Sequence, residues 1–134
     1  MLLDTSGLLC HQYASETQHL LALRLFESSG RKLTHSYVLA EFLALVTARR
    51  LNRGQALAFL QHLPLHPLVE IVWVDQRLHE QALALLEARP DKNHSLCDAV
   101  SFALMKERGL LEALTTDHHF QQEGFRRLLG SQDP

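Results

Sequence analysis

Cysteine is scarce in this chain, with two among 134 residues. Cys10 and Cys97 both stand inside apolar segments. They read as free core thiols of a cytoplasmic protein, which excludes a disulfide-built extracellular scaffold. An excess of base is also missing. Thirteen Lys and Arg against fifteen Asp and Glu leave a net charge of −2, without the strongly basic footprint of most nucleic-acid-binding domains. Bound cations are the one way such a chain could supply positive charge where it is needed. No uncharged apolar run approaches the ~18 residues of a membrane helix. The start, Met1-Leu2-Leu3-Asp4, lacks the basic flank of a signal peptide. Repeats, low-complexity tracts and Pro/Gly-rich linkers are absent, so residues 1–134 are expected to form one domain.

Several catalytic signatures are absent as well. No G-x-S-x-G, no P-loop and no G-x-G-x-x-G occurs. Nine histidines raise the question of zinc, but there is no H-E-x-x-H and no Cys pair at ligand spacing, and Pro64 separates His62 from His66. No zinc site is therefore expected. His94 and His118 read as surface histidines or as residues lining a neighbouring pocket.

What the chain does have is four carboxylates in apolar company. Asp4 interrupts Met1-Leu2-Leu3-Asp4-Thr5-Ser6-Gly7-Leu8-Leu9. Glu41 is the sole charge in Tyr37-Val38-Leu39-Ala40-Glu41-Phe42-Leu43-Ala44-Leu45-Val46. Asp98 is the sole charge in Leu96-Cys97-Asp98-Ala99-Val100-Ser101-Phe102-Ala103-Leu104-Met105, and Asp117 closes Ala113-Leu114-Thr115-Thr116-Asp117. A buried carboxylate neutralises, pairs with a base or coordinates a metal. These segments hold no Lys or Arg, and oxygen-only donors favour Mg²⁺ or Mn²⁺.

Local patterning predicts the framework. Leu2-Leu3, Lys32–His35, Val69–Val74, Ala113–Thr115 and Phe125–Leu129 read as strands, the third being the most β-prone. Ser6-Gly7 reads as turn and cap chemistry, followed by helix from about Leu8 to Ser28 with a break near Ser15–Thr17. Further helices are read from a Ser36 cap to about Arg50, over Gln55–Leu63, from an Asp75 cap to Pro90, from Ser95 to Gly109, and over His118–Glu123. The helix from Ser36 is apolar almost all round, which predicts a central position. The order β-α-α-β-α-α-β-α-α-β-α-β implies a parallel sheet covered on both faces, where ligands bind at the carboxyl ends of strands. Asp4 and Asp117 follow strands at that end, and Glu41 and Asp98 lie in helices such strands could feed.

Each acid also has a structural reading. Asp4 can cap the first helix, Asp98 can close a capping box with Ser95, and Asp117 can cap the short helix after it. Glu41 lies too deep in its helix to cap. Asp75 reads as a cap, while Glu70, Asp91 and Glu112 read as solvated surface. Arg49, Arg50 and Arg53 suit RNA phosphates, an acidic partner segment or a solvated helix end.

Met1–Ser6, Ser36–Glu41, Ser95–Ala103 and Leu114–Phe120 resemble, in order, the four motifs of PIN-domain nucleases, and most nearly those of the VapC-like toxins of toxin–antitoxin pairs. The resemblance covers nearly the whole chain. It implies a three-layer α/β/α sandwich around a parallel sheet of about four or five strands, and a Mg²⁺- or Mn²⁺-dependent endoribonuclease. Asp4, Glu41, Asp98 and Asp117 would be its metal-site and catalytic acids, and Thr115 the hydroxyl that bonds within the site. The implied partners are an RNA substrate, a small antitoxin received on the helices between Arg24 and Arg53, and a second copy of the chain. The chain departs from the family at Cys97, where Thr is common, and at His118 and His119, where some members carry a further acid. Two readings compete: a PIN fold that binds RNA or protein without cutting, and a phosphatase with Asp4 as nucleophile. The latter wants Asp where Ser6 stands.

Overall fold

The computed structural model describes residues 1–130, so the last four residues of the expected 1–134 domain lie outside the described residues. Five strands, β1 (Leu2–Leu3), β2 (Lys32–His35), β3 (Val69–Val72), β4 (Glu112–Leu114) and β5 (Arg126–Arg127), form one sheet in the order β3-β2-β1-β4-β5, with every neighbouring pair parallel. The helices are α1 (Thr5–Gln12), α2 (His19–Ser28), α3 (Ser36–Ala48), α4 (Arg53–His62), α5 (Gln76–Glu87), α6 (Leu96–Arg108) and α7 (His119–Gln122). Their chain order is the one the patterning predicts, with an added 3-10 turn at Leu63–Leu65.

Strand order explains the layers. The chain winds outward from β1 to β2 and β3, then returns across β1 to β4 and β5. Parallel crossovers are right-handed, so reversing the winding direction moves the connecting helices to the opposite face. Leu3 and Leu114 accordingly pack against Leu8, Ala22, Val38 and Phe42 of the α1–α4 layer. Leu2 and Ala113, their alternating neighbours, pack against Phe102, Met105 and Phe120 of the other layer, and Leu33 against Leu78, Val100 and Leu104. The result is a three-layer α/β/α sandwich. The reversal falls between β1 and β4, and such switch points open a crevice beyond the strand ends.

Three local expectations are corrected. The central helix is α6, buried continuously from Cys97 to Phe102. In α3 only the Val38-Phe42-Val46 stripe is buried, and Ala40 and Ala44 are exposed. Four helices share the α3 layer, so α3 touches the core along one line. The cap of α3 is His35, whose Nδ1 accepts from the Val38 N–H at 3.4 Å; Ser36 Oγ accepts from the Val74 N–H at 2.9 Å and ties the end of β3 to α3. His35 Nε2 lies 2.8 Å from Ser101 Oγ, a buried link from β2 to α6, and burial lowers the imidazole to about 3. Finally, Ser6 and Gly7 form no turn and already belong to α1.

Gly7 lets α1 lie against the sheet. A Cβ there would sit 1.9 Å from the Leu114 carbonyl oxygen. Gly7→Ala should gain ~1 kcal/mol of helix propensity and lose more by forcing α1 off β4, a net destabilisation of about 2 kcal/mol or more. Urea denaturation checks it, and an unchanged midpoint would show that the α1–β4 contact yields freely.

Candidate active site

At the carboxyl ends of β1 and β4 a connected set of polar groups is buried. Asp4, directly after β1, is 4% exposed and makes no capping bond to α1. Its Oδ2 instead accepts a 2.7 Å hydrogen bond from Thr115 Oγ1, just after β4. Thr115 has one hydroxyl proton and spends it there, so its oxygen accepts from the Asp117 N–H at 3.0 Å and from Ser6 Oγ at 3.1 Å. Ser6 Oγ, donating to Thr115, accepts from the Thr116 N–H at 2.9 Å. Each rotor in the set is thereby assigned.

Asp98 enters from the N-terminus of α6. Its Oδ2 accepts from the Ser95 N–H at 3.1 Å while Ser95 Oγ accepts from the Asp98 N–H at 3.0 Å, a complete capping box. Asp117 Oδ1 accepts from the His119 N–H at 2.9 Å, which tethers the start of α7. The capping reading of Asp98 therefore holds, whereas Asp117 stands one residue before His118, the cap of α7, and its bond to the His119 N–H closes a turn across that cap. Asp98 is near enough for its charge to act on Asp4, and Asp117 for its charge to act on Asp98. His119 Nδ1 lies 3.4 Å from Asp98 Oδ2 and 3.2 Å from Asp117 Oδ1, bridging the two acids. Glu41, half-buried one turn into α3, is near enough for its charge to act on Asp4 and Cys97.

The electrostatics follow. Burial pushes Asp4 up to about 7; Thr115 pulls it back, while the charges of Asp98 and Glu41 push further. Burial also raises Asp98, with Asp117 adding to it and the Ser95 and His119 contacts opposing. Cys97 is raised by burial and by the charges of Glu41, Asp4 and Asp98. Among the described residues no Lys or Arg pairs with any of the four acids, and only His118 and His119 reach them. Asp75 caps α5 through a 2.8 Å bond from the Leu78 N–H, as expected.

Sequence reasoning missed several of these groups. Ser6 was assigned to a turn, yet it locks Thr115. His94 was read as surface or pocket lining, yet its side chain is fully buried against Glu123, with Nε2 3.0 Å from Oε1. A donor atom from each of His94, Asp98 and His119 lies within 4.8 Å of the others, a grouping able to hold a metal ion. The His118-His119 doublet after Asp117 is a visible signal for one member and the pocket-lining reading of His94 points to another, whereas nothing in the local pattern marks Glu123.

Comparison with known proteins adds the following. The PIN domain family model matches residues 1–125. The 23S rRNA-specific endonuclease VapC20 of Mycobacterium tuberculosis, from two strains, is 32% identical over 123 residues, spanning 91% of this chain and 92% of its own length. The crystal structure of Mycobacterium tuberculosis VapC20, described as a sarcin–ricin loop cleaving toxin, superposes with a TM-score of 0.84 at 30% identity, covering 92% of this chain and 95% of that one.

Asp4 supplies a test independent of catalysis. Its carboxyl lies near 3.8 when unfolded and near 7 when folded. A carboxyl raised by folding contributes stability below the lower value, and that contribution is lost as pH rises through the upper one. In chelated buffer Asp4→Asn should therefore become progressively more stable than wild type from about pH 4 to pH 8, by up to the order of 4 kcal/mol. Parallel pH profiles of the denaturation midpoint would show that Asp4 titrates normally.

Proposed function

The chain belongs to the PIN-domain family, and on that premise we propose that it is a Mg²⁺- or Mn²⁺-dependent endoribonuclease with Asp4, Glu41, Asp98 and Asp117 as its catalytic and metal-site acids. The observation that supports this reading is that Asp4, bonded to Thr115, feels the charges of Asp98 and Glu41, and Asp98 that of Asp117, without a Lys or Arg among the described residues paired to any of them. A divalent cation fits that donor set. Hard oxygen donors suit Mg²⁺ and Mn²⁺, and a cation relieves the mutual repulsion that raises Asp4 and Asp98.

Asp4, Asp98 and Asp117 would hold the cation, and Glu41 would complete the charge and orient the attacking water. What a bound cation supplies is a water of lowered pKa and stabilisation of charge on the attacking and leaving oxygens of an RNA phosphodiester. The chain supplies the positioning. Thr115 holds Oδ2 of Asp4, Ser6 fixes the Thr115 rotor, and the capping box fixes Asp98 on α6. Buried Cys97 helps to exclude water beside the acids.

Similarity to VapC20 supports structured ribosomal RNA as the first substrate to test. VapC20 is described as a toxin, and the proposal extends to a toxin held by a small antitoxin, acting in the cytoplasm as a homodimer and as one nuclease domain over residues 1–134. No described helix is long and apolar enough to cross a membrane. The helices between Arg24 and Arg53 are the proposed antitoxin surface, and they expose Arg24, Arg50, Arg53 and Leu20 beside them.

Asp98→Asn tests the chemistry. The Asn amide oxygen can still accept from the Ser95 N–H, so the variant keeps the capping box and should stay folded. It should lose more than ~100-fold in Mg²⁺-dependent cleavage of ribosomal RNA, the scale at which metal sites respond to a disturbed ligand shell. Asp75→Asn, which alters only the α5 cap, should cut like wild type. Full cleavage by a nuclease-free preparation of Asp98→Asn would remove Asp98 from the mechanism.

A further inference from the structure

Asp98 also belongs to a donor set that the oxygen-only centre does not use. His94 precedes the cap of α6, and its side chain is wholly buried. Glu123, just after α7, holds its Nε2 at 3.0 Å. That carboxylate is itself 4% exposed and is clamped by Arg89 Nε at 3.0 Å and Lys106 Nζ at 3.6 Å. Glu123 is held as an acceptor by these two cations, so in the neutral imidazole the Nε2 proton points at Glu123 and Nδ1 carries the lone pair. Nδ1 is buried and has no hydrogen-bond partner. His119 meets His94 edge to face at 5.1 Å, and its own Nδ1 is likewise buried without a hydrogen bond.

One ring nitrogen from each of His94 and His119 and one Asp98 oxygen lie within 4.8 Å of one another, a nitrogen-rich set that does not favour Mg²⁺. Imidazole suits the later first-row ions, and two histidines with one carboxylate is a recurrent Zn²⁺ donor set. The Glu123–His94 pair has the form of the outer carboxylate that orients a metal-bound histidine. We propose that His94, Asp98 and His119 form a Zn²⁺ site, supported by Glu123 and separate in donor chemistry from the oxygen-only centre but sharing Asp98 with it. Zinc sits roughly 2.0–2.2 Å from each donor, so binding draws the three side chains together. Occupancy takes Asp98 away from the catalytic set, and Zn²⁺ therefore inhibits Mg²⁺-dependent cleavage. That consequence rests on the endoribonuclease reading, whereas the site itself does not.

The test is titration of the metal-free full chain with Zn²⁺ by calorimetry, and with Co²⁺ by its visible absorption, without RNA. Wild type should bind one ion at the site with Kd of ~1 μM or tighter. His94→Phe keeps a ring against Phe102 but removes the donor, and Glu123→Gln keeps the shape but removes the carboxylate. Both should weaken Zn²⁺ binding, Glu123→Gln by ~10–100-fold and His94→Phe by more. The Mg²⁺-induced rise in melting temperature should persist in His94→Phe. Zn²⁺ binding unchanged in His94→Phe would place the ion elsewhere and overturn the proposal, as would no binding to wild type. A chain that binds Zn²⁺ at His94 but never cuts RNA would sink the nuclease reading and leave this site standing. A chain that cuts RNA but takes no Zn²⁺ would do the reverse.

Discussion

The hydrogen bond from Thr115 Oγ1 to Asp4 Oδ2, 2.7 Å long and buried, is the contact on which the rest of the site depends. It joins the end of β1 to the end of β4, two strands adjacent only because the winding of the sheet reverses between them. Thr115 has one proton, and giving it to Asp4 dictates the roles of Ser6 and of the Thr116 and Asp117 amides. The geometry needs α1 to begin at once after Asp4 and to lie on the Leu114 carbonyl. The missing side chain at Gly7 makes that approach possible.

Stability and function are often set against each other at such sites, yet on the proposed reading two of the four acids serve both. Asp98 closes a capping box, and Asp117 tethers the start of α7. A carboxylate has two oxygens and about four lone-pair directions, so meeting a backbone N–H leaves capacity for a cation. The helix N-terminus also favours the ionised form, which partly offsets burial. Asp4, the cap residue ahead of α1 but without a side-chain capping bond, is pushed by burial up to about 7. The cluster is thus a store of unfavourable charge that a divalent ion discharges. This accounts for a chain of net charge −2 acting on a polyanion, because the positive charge needed comes with the ion.

The histidine side of Asp98 changes how the site is viewed. One oxygen of Asp98 lies within 4.8 Å of a ring nitrogen of each of His94 and His119, and the Asp98 charge also acts on Asp4. Glu123, buried and held by Arg89 and Lys106, gives the nitrogen side a rigid backing more elaborate than α7, a helix of four residues, needs for its own stability.

Much of this was legible in one dimension. A carboxylate in an apolar segment stands out against its neighbours wherever the chain later goes, so Asp4, Glu41, Asp98 and Asp117 were visible at once. The alternation of short β-prone runs with helical periodicity likewise yielded the element order. Hidden from the sequence were groups whose meaning depends on what packs over them. Ser6 looks like a turn residue until β4 lies beside β1. His94 and Glu123 look like polar loop residues until the segment after α5 and the end of α7 close over Phe102. α3 is the more apolar of the two helices, yet the layer arrangement encloses α6 and leaves α3 half-covered. Local pattern records how much apolar surface an element must bury and which charges are out of place. Which neighbour buries that surface, and which proton or ion answers those charges, depends on contacts between residues far apart in the chain, and those exist only once the strands have chosen their order.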